Sequence, residues 1–112
     1  MQQIRVILIV MILTISFTTI AAIVNEGANL LPHFLTPIFA LTWQGQFNVD
    51  FACYLILTGI WVAWRGGFSR ASGLTGLFAA VAGILFVAPL LIYYIHQAQS
   101  DPRRFLLGVH AG

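Results

Sequence analysis

The chain has 112 residues, 60% of them hydrophobic and only 7% charged, against the roughly 25% charge of a soluble domain. So small a soluble fold could not hide this much apolar surface from water, and a net charge of +2 is too weak to argue for nucleic acid. One integral membrane domain, residues 1–112, is the expectation. All five cations are arginines, and Cys53 is alone, which leaves neither an internal disulfide nor a thiolate metal site.

Val6 to Val24 carries no charge and lies within a first helix expected over about Ile4 to Val24. It is close to the ~20 residues a span requires. The run is longer than a signal-peptide core and Ala21-Ala22 makes a poor cleavage site, so it reads as a retained span. Asn25-Glu26-Gly27-Ala28-Asn29 then breaks the helix. Leu30 to Trp43 is apolar but short, with Pro32 and Pro37 inside it, and reads as an interfacial or re-entrant segment anchored by Trp43.

A second helix is expected from about Phe47 to Arg65, and a tight turn at Gly66-Gly67-Phe68-Ser69. A third follows over Ala71 to His96, kinked at Pro89. The tail, 97–112, holds Asp101-Pro102-Arg103-Arg104 and then Phe105-Leu106-Leu107. The fold class is an all-α membrane protein of three transmembrane helices, with the short segment between the first two. In that order Arg5, Arg65 and Arg70 lie on the cytoplasmic side and Arg103 and Arg104 outside. A four-span order also divides the arginines three to two, so the two prolines decide for three spans.

Among the polar residues Asp50 stands first, because an ionisable group in or near a span is a candidate by default. Helical periodicity puts Asp50, Tyr54, Leu57, Trp61 and Trp64 on one side, and Ala52, Gly59 and Ala63 on the other. The plain alternative is a carboxylate at a helix start, favoured by the dipole. In the three-span order Glu26, His33, Asp50, Tyr93, Tyr94 and His96 share the outer surface. Their spacing matches no metal signature, and no cofactor is expected. Ser72, Gly76 and Ala80, with Ala79 and Gly83 on the next ridge, mark a close-packing seam, most simply against the second helix.

Trp43, Phe47-Asn48-Val49-Asp50-Phe51, Tyr54-Leu55, Trp61-Val62-Ala63-Trp64-Arg65 and Leu106-Leu107-Gly108 form a pattern. It resembles a group of small, uncharacterised bacterial integral membrane proteins and covers roughly the last two thirds of the chain. The resemblance implies a multi-span bacterial protein and brings no activity with it. The expected function is non-catalytic: an accessory or stabilising subunit in the bacterial inner membrane, its partners the lipid bilayer and other integral membrane proteins. The alternative is a small enzyme or carrier for a lipid or isoprenoid. Asp50 or Glu26 would then be the acid or base, with Tyr54 and Trp61 beside a developing cation. Trp43, Arg65, Arg70, Arg103, Arg104 and Phe105 are the expected interface or partner contacts. The two tail arginines would reach phosphates while the apolar trio dips into the outer surface.

Overall fold

The computed structural model describes residues 2–111, and every regular element among them is helical. The order is α1 (Gln2–Glu26), α2 (Leu31–Phe39), α3 (Trp43–Arg65), α4 (Arg70–Ala82), α5 (Ile84–Gln97) and α6 (Pro102–Leu107), closed by a 3₁₀ turn, Gly108–Ala111. Two helices, α1 and α3, are long and apolar enough to cross a membrane. At 1.5 Å per residue they measure about 37 and 34 Å.

The segment between α1 and α3 folds as the nine-residue α2, with Pro32 in its first turn and Pro37 inside. α3 begins at Trp43, a turn earlier than expected. Its N-cap is Thr42, whose hydroxyl accepts from the Gly45 N–H at 3.1 Å and donates to the Pro37 carbonyl at 3.1 Å. Asn48 then ties the two helices together by donating its amide to the Phe34 carbonyl at 2.9 Å. Gly45 is buried against the Pro37 backbone, where no side chain would fit.

The single third helix expected over Ala71 to His96 is instead two helices, so the third span expected there is not one continuous helix. The break falls at Gly83 and not at Pro89. Gly83 has φ +71° and ψ −153°, a conformation that ends a helix and that L side chains rarely adopt. Pro89 lacks only one N–H and α5 runs on through it. The chain reverses at Gly83. Phe78 and Phe86 come within 6.1 Å, although eight residues of straight helix rise about 12 Å. α4 lies antiparallel to α3, with Gly59 against Gly76, and α5 returns to bring Tyr94 beside Trp61 and Arg65.

α1 packs against α5, and Arg5 donates to the Ser100 hydroxyl at 2.9 Å. The core sits between α3, α4 and α5 toward that end: Val62, Ala79, Ala88 and Ile95 are fully buried, with Val87, Ala98 and Leu8 around them. On α1 only Leu8 is buried.

The hairpin changes where the charges lie. Arg5 meets Ser100, Arg65 meets the Arg104 carbonyl, and Arg70 follows Arg65 after one turn, so all five arginines share one end. The expected separation of Arg103 and Arg104 from Arg65 and Arg70 is thereby corrected. Glu26 and His33, 3.7 Å apart, sit at the opposite end. Tyr93, Tyr94 and His96 belong to the arginine end, so the expected outer group of six polar residues is divided.

Candidate functional site

The arginine-rich end is built by the last turn of α3 closing on the C-terminal segment. α6 carries local signals at both ends. Asp101 is its N-cap, accepting from Arg103 N at 3.0 Å; Pro102 opens it; Gly108 ends it at φ +57°. Six residues form fewer than two turns, so the last carbonyls of α6 need partners. α3 supplies them. Arg65 Nε donates to the Phe105 carbonyl at 2.7 Å and Nη2 to the Arg104 carbonyl at 3.4 Å. Trp61 Nε1 donates to the Leu106 carbonyl at 3.0 Å.

Arg65 is only 7% exposed. Its guanidinium lies over the Tyr94 ring, 3.7 Å from the centroid, a cation–π contact made stronger by the loss of water. Trp61 meets Tyr94 and Phe105 edge-on at 6.2 and 6.1 Å, and Phe105 is buried. Further along, His110 stacks on Trp64 at 4.1 Å while its Nε2–H donates to the Trp64 carbonyl at 2.8 Å. Gly108 is needed for space as well as for its φ, because a Cβ there would strike the Arg65 backbone and side chain. Beside this clamp, between the first turn of α4 and the last turn of α5, lies an open cleft whose lining includes Arg65, Ser72, Tyr93, Tyr94, Gln97 and Arg104 among apolar residues such as Ala71, Ala98 and Val109.

Asp50 is elsewhere. It is exposed, two turns inside α3, on a shallow groove between α2 and α3 with Ile38, Thr42, Gln46, Val49 and Cys53. Because α3 starts at Trp43, Asp50 is outside the first turn, and the dipole account of it fails. No aromatic residue lines the groove. Trp61 lies eleven residues further on, about 16 Å along the helix, and Tyr54 is exposed. Asp50, Tyr54 and Trp61 therefore form no common cavity, and Glu26 is at the end of α1 facing His33.

The small residues meet one another. A Cβ on Gly59 would lie 2.7 Å from the Gly76 carbonyl oxygen and 3.0 Å from the Ala80 Cβ; one on Gly76 would lie 3.2 Å from the Ala63 Cβ. Ala79 is fully buried, and Ser72 closes the seam against Gly66. Trp43, Arg70, Arg103 and Arg104 are exposed. Reading the residues singly missed the clamp. Asp-Pro before and Gly after Phe105 were signals for a short helix, but nothing local paired it with Arg65. No protein-family model matches the chain, and no curated protein or solved structure matches it.

Proposed function

We propose that the chain is a small, non-catalytic inner-membrane subunit in which α1 and α3 cross the bilayer and the α4–α5 hairpin enters from the cytoplasmic side and returns to it. One observation carries this reading: five arginines and one carboxylate, Asp101, gather at one end, and Glu26 and Asp50 lie toward the other. That is the asymmetry of a positive-inside protein, and the two-span order achieves it where three spans divide the charge. α4 and α5, with 13 and 14 residues, are each about 20 Å long and too short to span singly. The Gly59–Gly76 contact holds the hairpin against α3, and the non-helical backbone at Gly83 is buried beside Phe51 and Leu55, as lipid requires. An accessory role in a bacterial membrane complex fits the nearly bare apolar face of α1 and the motif resemblance of α3.

Cysteine labelling in intact cells tests the topology, after Cys53→Ser. Phe68→Cys and Val109→Cys, both at exposed positions, should be protected together, and Leu30→Cys should react from outside. Phe68 and Val109 on opposite sides would overturn the two-span order. Native extraction in mild detergent tests the role: a partner should co-purify, and a lone monomer counts against a subunit.

A further inference from the structure

The open cleft at the arginine-rich end has a largely apolar lining, into which a set of donor-bearing residues is gathered. Arg65, Arg104, Tyr93, Tyr94 and Gln97 all contribute to its lining. No carboxylate among the described residues does; Asp101 turns instead to Arg103 N and Arg104 Nε. Arg65 is the decisive group. It is buried, held in place by two carbonyls and the Tyr94 ring, and paired with no carboxylate among the described residues. Dipoles alone leave its full charge uncompensated, and burying such a charge is costly unless an anion complements it. The N-terminal end of α4, capped by Ser69, opens on the same recess and adds a positive dipole end.

We infer that this cleft binds a phosphate group. The guanidinium of Arg65 supplies a fixed charge, and Arg104 a second, exposed one that also lies 3.7 Å from Asp101. The two phenols and the Gln97 amide supply neutral donors around the remaining oxygens. If the chain crosses the membrane as proposed above, the cleft lies at the depth of phospholipid headgroups on the cytoplasmic face; the lipid source of the phosphate rests on that reading.

The full chain, purified in a neutral maltoside and stripped of lipid, is titrated separately with phosphatidylglycerol, a neutral glycosyl-diacylglycerol and inorganic phosphate, with binding read by native mass spectrometry. Phosphatidylglycerol should bind about tenfold more tightly than the glycolipid. The double variant Tyr93→Phe/Tyr94→Phe keeps both rings and the Arg65 stacking, and should weaken it by roughly tenfold while the chain stays folded. Arg104→Gln, at an exposed position, should weaken it as well. Inorganic phosphate binding with the same sensitivity, without phosphatidylglycerol, would support the phosphate site and assign it a soluble ligand. Equal binding of both lipids with no phosphate binding, or a double variant that binds phosphatidylglycerol unchanged, overturns the proposal. Alkaline extraction of membranes separates the two ideas. A chain released by it sinks the membrane reading, and the inorganic-phosphate arm still decides the cleft.

Discussion

Gly59 and Gly76 each occupy the space the other's side chain would need: a Cβ on Gly76 would lie 2.5 Å from the Gly59 carbonyl oxygen, and one on Gly59 2.7 Å from that of Gly76. Backbone meets backbone here, so the clash cannot be relieved by a rotamer change. Gly76→Ala should cost about 1–3 kcal/mol by forcing α3 and α4 apart. Gly73, on the same helix, has nothing within 4 Å of its Cβ position. Gly73→Ala should be neutral or stabilising by up to about 1 kcal/mol, through helix propensity alone. Thermal unfolding in detergent compares the pair; equal effects would dismiss the seam.

Gly83 and Pro89 should differ in sign. A Cβ at Gly83 has room, its nearest neighbour being Phe51 Cζ at 3.4 Å, so the cost of Gly83→Ala is the backbone conformation itself. About 1–3 kcal/mol is expected. Pro89→Ala gives α5 back an N–H for the Leu85 carbonyl and should leave stability unchanged or raise it. Melting temperatures of the two variants check this, and a larger loss at Pro89 would place the break there.

Arg65→Met should free the C-terminal segment without dissolving the α3–α4 seam. It removes two charge-assisted hydrogen bonds, each contributing about 1.5–3 kcal/mol, and the contact with Tyr94. Trypsin cleavage after Arg103 and Arg104 should accelerate by at least about tenfold. Trp61→Phe, which loses one bond to the Leu106 carbonyl, should cost about 1 kcal/mol and accelerate cleavage less.

Asp50→Asn should change the stability of the isolated chain by no more than about 0.5 kcal/mol, since the carboxylate is exposed and makes no ion pair among the described residues. Asn48→Ala, two residues away, should cost about 1 kcal/mol by releasing α2 from α3. If Asp50→Asn unfolds the isolated chain, the carboxylate has an internal role that its exposed position does not suggest.

Hydropathy and residue size made much of the molecule legible. α1 follows from an uncharged stretch, α3 from its apolar run ending at Arg65, and the α3–α4 contact from small residues four apart on two helices joined by a short turn. These are local properties, written in spacing and composition. The N-caps Thr42 and Asp101, which start α3 and α6, were not read from the sequence, so the expected α3 begins a turn late and α6 is missed.

The reversal at Gly83 was not legible, because a glycine in an apolar helix reads equally as a packing residue and as a break. Only the pairing of α5 with α1 and with the end of α3 decides between them. Arg65 shows the same division. Its place at the end of an apolar run announced a charge at the membrane surface, yet its hydrogen-bond partner, Phe105, lies 40 residues on. Composition and periodicity therefore determined that this chain is helical and apolar. Tertiary structure alone decided that its five arginines share one end, because only the path of the chain at Gly83 and Gly108 brings the last turn of α3 against the carbonyls that Arg65 and Trp61 satisfy.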